Sequence, residues 1–225
     1  MDEAFLRNEL DADIDRRVRS LSSIRTIPSR YSFRENDVNV WSRCAFPIIY
    51  AEWEGFFVFA IETYIREINK IGISLNHLHP SYFVRDVEKR FPQLKEYPHE
   101  INKKSSFLRQ LFDFFKNTDL VSLNTDVNTN SNLGFSVLNN ILDNLNLEKI
   151  QDHIYKNKYS LQQDLDLFLL TTRNGIAHGN PSSTASMEDI TKACSLVENL
   201  MNMTRDVIIN GFQKEVFKIG SLTLS

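Results

Sequence analysis

The stretch from Ile48 to Ile68, IIYAEWEGFFVFAIETYIREI, constrains the fold more than any other part of the chain. Its apolar residues Ile49, Trp53, Phe56, Phe57, Ala60, Ile61, Tyr64, Ile65 and Ile68 recur at three and four rather than at two, and they cover more than half of a helix's circumference. Such a helix is stable only when other helices enclose it, so it is predicted to be central to a bundle. Only 7 Gly and 6 Pro punctuate the 225 residues, and the same spacing recurs elsewhere, which predicts an all-α chain. With 42% hydrophobic residues, 16 of them Phe, the chain can build a sizeable core. Neither an internal repeat nor a break in composition divides it, so residues 1–225 are read as a single domain, with 212–225 a less ordered or extended tail.

Around the central helix the other elements follow from the same arithmetic. Phe5, Leu6, Leu10, Ile14, Val18 and Leu21 step by three or four, predicting a helix over residues 2–23 that IRTIPSRYS ends. The central helix starts near Asn36 or Asp37 and runs to about Ile71. Pro47 lies inside it and cannot donate to the carbonyl four residues back, so a kink or a fresh helix start is expected there. Gly72, Pro80, Pro92 and Pro98 leave room for one short helix, Tyr82–Arg90. Helix returns at Ile101–Lys116, with Phe107, Leu108, Leu111, Phe112 and Phe115 as its core face rather than a base-stacking platform. LNTDVNTNSN reads as an exposed polar loop whose Asn132 caps a helix from Leu133 to Leu145. Ser160 caps the next helix, buried through Leu161, Leu165, Phe168, Leu169 and Thr172, which delivers Arg173 at its C-terminal end. Finally, Ser186 and Asp189 form a capping box for a long helix carrying Ile190, Cys194, Val197, Met201, Thr204 and Ile208 on one face.

Several function classes are disfavoured. A formal charge of −3 gives no global attraction to nucleic acid, so a polyanion site must be a local basic patch. Lys103, Lys104 and Arg109, with Arg85, Lys89 and Arg90, are candidates for it, but solvated helix faces explain them more simply. Cys44 and Cys194 are far apart with no C-x-x-C spacing, which predicts two free thiols in a reduced, cytoplasmic chain. The acidic start MDEAFLRNELDADID is unlike a secretion signal, and no apolar run approaches the ~18 residues of a membrane span, so no membrane partner is expected. His77 and His79 in NHLHP lack the further ligands a metal site needs; no metal and no cofactor are expected.

One stretch carries chemistry: LTTRNGIAHGNPSS, Leu170–Ser183. Arginine keeps its charge and presents a planar fork to phosphate oxygens, while histidine titrates near neutrality and can move a proton. Together at one phosphodiester they supply a clamp for transition-state charge and a general base or acid. Along a straight helix, however, Arg173 and His178 are separated by about 140° and about 7.5 Å. They converge only if the chain ends or bends between them, which Gly175 and the Gly179-Asn180-Pro181 stop permit, or each faces a symmetry mate across a dimer. A purely structural alternative makes Arg173 a partner of the helix's terminal carbonyls and His178-Gly179 its cap. Upstream, Glu54 sits between Trp53 and Gly55 in apolar surroundings, either facing solvent or seeking a cationic partner.

Taken together, RNGIAHG at the end of an apolar helix, AEWEGFF in an earlier one and SNLGFSVLNNILDNLNL between them resemble the HEPN superfamily, in its MAE-type branch. The likeness runs from about Phe5 to Met203. It implies a helical bundle that forms a homodimer with two RN…H motifs facing one another. It also implies metal-independent endoribonuclease action leaving a 2′,3′-cyclic phosphate and a 5′-hydroxyl, in a toxin or antiviral-defence setting with a possible antitoxin or defence partner. On that resemblance Arg173 stabilises the transition state and His178 transfers protons, Asn174 orients the pair or binds RNA, and Glu54 supports them. HEPN toxins paired with a nucleotidyltransferase antitoxin often carry Tyr two places after the His, where this chain has Asn180. Other HEPN domains are non-catalytic RNA- or protein-binding modules, which is the alternative.

Overall fold

The computed structural model describes residues 3–117, 122–129, 132–155, 159–180 and 182–220, with backbone only at 85, 86, 89, 117, 154, 155 and 159. The domain is all-α. Its helices are α1 (Glu3–Arg30), α2 (Glu35–Ile71), α3 (Ser81–Arg90), α4 (Ile101–Asn117), α5 (Phe135–Asn144), α6 (Thr171–Ala177) and α7 (Met187–Gln213). A two-residue antiparallel pair, Ile154–Tyr155 with Tyr159–Ser160, precedes a π-helical segment, Gln163–Leu170, that runs directly into α6.

As its periodicity requires, α2 is the central helix. Ile49, Trp53, Phe56, Phe57, Ala60 and Tyr64 are fully enclosed, chiefly by α7 and α1. By length and composition α2 could cross a bilayer, contrary to the absence of such a run expected above, but half of the relevant window is buried inside the fold. Neither a break nor a fresh start occurs at Pro47, because the helix continues unbroken through it. Packing offsets the missing amide bond: Ala45, Phe46, Ile49 and Tyr50 on either side are buried.

Tertiary packing also lengthens α1, which continues past the expected end through IRTIPSR to Arg30. Leu21, Ile24 and Pro28 stay on its buried face, and Arg25 pairs with Glu198 of α7 at 2.6 Å. The capping box Ser186–Asp189 opens α7, whose Ile190, Cys194, Val197, Met201, Thr204 and Ile208 are all buried. Both cysteines are free, Cys44 exposed and Cys194 buried. After α7, residues 214–220 fold back: Val216 and Phe217 are buried, and the His79 amide donates to the Phe217 carbonyl at 2.7 Å. Residues 221–225 of the expected tail lie outside the described residues.

Two expectations are corrected. The cap of α5 is Gly134, not Asn132, and the Phe135 amide donates to Asp166 Oδ1 at 2.7 Å from the π-helical segment. A Cβ on Gly134 would stand 2.7 Å from that carboxylate oxygen, so glycine is what admits this cap. In α4, of the five expected core residues only Phe107 is buried; Leu108, Phe112 and Phe115 are 40, 62 and 41% exposed. Helix α4 packs on α3 through Val87, Phe91 and Phe107, a small cluster apart from the main core, and so uses only one side of its wide apolar arc.

Candidate functional site

Each residue of AEWEGFF is placed by the helical phase of α2. Glu52 faces α1, where Arg17 Nη1 donates to its carboxylate at 2.9 Å and to its carbonyl at 3.0 Å, and Asp13 holds the same guanidinium at 2.6 Å. A Cβ at Gly55 would come to 3.0 Å from Arg17, so this glycine makes room for the buried cation. Trp53 turns inward and its indole N–H donates to the Leu133 carbonyl at 3.3 Å. The next residue, Glu54, is half-buried and accepts a 2.5 Å hydrogen bond from the Thr129 hydroxyl. Among the described residues it is Glu52, not Glu54, that has the ion pair with a cation.

One turn before Glu54, on the same face, stands Tyr50, 1% exposed. Its hydroxyl accepts the Leu133 amide at 2.6 Å, and the Arg173 guanidinium lies over its ring, 4.5 Å from the centroid. Burial is the chief cause that pushes the phenol up to about 12; the hydrogen bond from the Leu133 amide and the Arg173 charge oppose the rise, and the nearby Glu54 charge adds to it. Arg173, Tyr50 and Glu54 therefore share one neighbourhood. Asn174 completes it: its Oδ1 accepts from Arg173 Nη1 at 2.7 Å, and its Nδ2 donates to Asn132 Oδ1 at 3.2 Å. Spacing in the sequence singles out neither Tyr50 nor Asn132 as a site residue. The available signal for Tyr50 is its position four residues before Glu54, which puts both on one face.

The wide π-helical turns reach α6 already secured. Ser160 and Gln163 cap the start reciprocally, at 3.2 and 3.1 Å, and Leu161, Leu165 and Leu169 are fully buried. Asp164, almost enclosed, is paired with Lys192 of α7 at 2.6 Å. Segments of this kind are rare and concentrate at functional sites. From there α6 runs through Gly175 without a break, and His178 is its C-cap. The Gly179 amide donates to the Ile176 carbonyl at 3.0 Å and the Asn180 amide to the Gly175 carbonyl at 2.9 Å, with Gly179 at φ +72°. This is a Schellman termination, which needs a left-handed residue after the cap. The cap of the structural alternative is thus present, but Arg173 engages Tyr50 and Asn174 rather than terminal carbonyls.

Gly175 does not act as a hinge. It sits inside α6, and a Cβ there would lie 2.1 Å from Ser183 Oγ, so it lets the following loop close onto the helix. Pro181 lies outside the described residues. Without a bend, Arg173 and His178 keep the divergence of about 140° set by helical geometry. Arg173 is half-buried, and His178 is exposed with no hydrogen-bond partner for its ring among the described residues.

The remaining candidates are engaged elsewhere. His77 Nδ1 pairs with Ser74 Oγ and His79 Nδ1 with Ser81 Oγ, and among the described residues no three His, Cys, Asp or Glu side chains are grouped to hold a metal. Lys103 pairs with Glu100, Lys104 lies over the Tyr97 ring and Arg90 over Phe114; the side chains of Arg85 and Lys89 are outside the described residues. A family model described as HEPN_MAE_28990-like HEPN matches residues 6–217. Neither a curated protein nor a solved structure matches the chain.

Proposed function

The chain belongs to the HEPN_MAE_28990-like HEPN family, and from that premise we propose that it is an endoribonuclease acting through Arg173 and His178. The observation that carries the proposal is the state of the motif. Arg173 is held on the Tyr50 ring and by Asn174 while remaining partly open, and the His178 imidazole stands free at the helix end. In the proposed step the ribose 2′-oxygen attacks the adjacent phosphorus as His178 removes its proton. The P–O5′ bond breaks, the 5′-oxygen takes a proton from solvent water, a 2′,3′-cyclic phosphate and a 5′-hydroxyl result, and the protonated His178 returns its proton to solvent. Arg173 faces the phosphate oxygens on which negative charge grows, and Asn174 and Glu54 support its position through direct contact and through Tyr50. No step in this sequence calls for a cofactor. The setting proposed is cytoplasmic, as a toxin or antiviral-defence component working as a homodimer, with an antitoxin or defence partner to restrain it.

Purified protein incubated with RNA in EDTA tests this. His178→Ala, at an exposed cap position, is expected to keep the fold and lower cleavage by roughly 10²–10⁴. End-group analysis should find cyclic phosphate for the unaltered protein; equal cleavage by the variant rejects the assignment. A second reading draws on the divergence of Arg173 and His178 within one copy: a non-catalytic module that grips RNA or a protein with the same polar surface. It predicts salt-sensitive RNA binding, or a stable partner complex, with no cyclic phosphate.

A further inference from the structure

Resting on the ribonuclease reading, we infer that Arg43 of α2 is a further RNA-binding residue of this site, gripping the phosphate next to the one that is cut. At about 100° per residue, Arg43, Tyr50 and Glu54 fall within an arc of about 40°, so one face of α2 carries all three. Helix α6 lies along that face in the opposite direction. At one end the Arg173 guanidinium stands over the Tyr50 ring; at the other, Arg43 Nη2 donates to the Asn180 carbonyl at 3.5 Å, just beyond the cap His178. Two guanidinium groups therefore flank the RN…H motif, carried from opposite sides of the seam between the two helices. His178 stands at the Arg43 end of it.

Charge separates this arginine from the others that join two helices. Arg17 is neutralised by Asp13 and Glu52, Arg25 by Glu198, and Arg205 by Asp11 and Asp206. Among the described residues neither Arg43 nor Arg173 has a carboxylate within ion-pair distance. Arg43 is half-buried, and of its five N–H donors one is engaged there, in a bond at the long limit. Anchoring the end of α6 accounts for that bond; it does not account for a full charge left without a counter-charge in a chain of net −3. A planar fork with unused donors suits a phosphate. Glu54 gives the strand its direction. Its carboxylate, held by Thr129, repels a phosphate at the far end of the face, so an RNA with one phosphate at Arg173 extends toward Arg43. Tyr50 and Arg43 are about 10.5 Å apart along α2, and two arginine side chains reaching from that separation can meet neighbouring phosphates of one strand.

An unstructured RNA with methylated 2′-oxygens can be bound without being cut, and fluorescence anisotropy over a series of salt concentrations then gives log Kd against log salt. Arg43→Gln should weaken binding by roughly tenfold and flatten that slope by about 0.7, the share of one phosphate contact on a single strand. Arg43→Lys keeps the charge and should restore most of the slope. With unmethylated RNA, Arg43→Gln should lower kcat/KM chiefly through KM, and the pH profile of kcat should stay where it was. An arginine that serves only to anchor the Asn180 turn predicts the reverse: an unchanged salt slope, a lower Tm and a fall in kcat. That result overturns the inference and leaves the ribonuclease reading in place. If the wild-type protein leaves unmethylated RNA whole while Arg43→Gln still flattens the slope, the phosphate contact stands and the ribonuclease reading falls. A wild-type protein that binds no RNA overturns both.

Discussion

Tyr50 offers the sharpest test of how the site is built, because its ring and its hydroxyl have separate partners. Tyr50→Phe keeps the ring beneath Arg173 but leaves the Leu133 amide, in a fully buried residue, without its 2.6 Å acceptor. An orphaned buried donor costs about 1–3 kcal/mol. For a domain of this size each kcal/mol lowers Tm by about 2–4 °C, so a fall of roughly 2–12 °C is expected. Tyr50→Leu loses the platform as well, and with it a cation–π contact worth about 0.5–2 kcal/mol. If that contact holds Arg173 for the transition state, kcat/KM should fall a further 2- to 30-fold or about that, at unchanged protein concentration. Thermal melts followed by circular dichroism give the first quantity. Initial rates of RNA cleavage in EDTA, at a temperature where both variants are folded, give the second. Full activity in folded Tyr50→Leu would refute the platform, and equal losses in Phe and Leu variants would move its role from ring to hydroxyl.

Three further outcomes follow from single contacts. Gly175→Ala should lower stability by about 1 kcal/mol or more, since crowding against Ser183 outweighs the helical preference for Ala. In a Ser183→Gly background the clash is gone and the same change should raise Tm; a loss in both backgrounds contradicts the close approach. Lys192→Met strands the Asp164 carboxylate, 8% exposed, and should cost about 2–3 kcal/mol, below the fully buried range because Lys192 is 38% exposed. Denaturant unfolding should recover most of that in Lys192→Met/Asp164→Leu. Burial raises Tyr50 from 10 and Cys194 from 9, each to about 12, so both favour the folded state fully below those ordinary values. Their contribution is lost as pH climbs from 9 toward 12, and Tyr50→Phe should flatten the part of that decline above pH 10 in urea titrations.

What the sequence makes legible here depends on whether a residue's partners are near it along the chain. The enclosure of α2, the capping box of α7 and the cap at Ser160 are local or periodic, and each is present. The run of α1 through Pro28 and the capping of α5 by Asp166 depend on distant elements, so no local pattern announces them. Helix α4 misleads in the opposite direction. Its apolar arc is wide enough to read as core all across, yet α3 is too short a neighbour to cover it.

The site divides along the same line. Arg173 and His178 are candidates by residue type and Asn174 and Glu54 only through the resemblance, whereas the platform beneath Arg173 is a tyrosine that looks like one more core aromatic. Gly175 is the most instructive case. Within RNGIAH a glycine suggests a bend that would bring arginine and histidine together, but φ is not what this glycine is needed for. It is needed because Ser183, eight residues on, occupies the space of its side chain, and the helix stays straight. A straight α6 turns the question of one phosphate between Arg173 and His178 from a matter of local backbone into one of assembly.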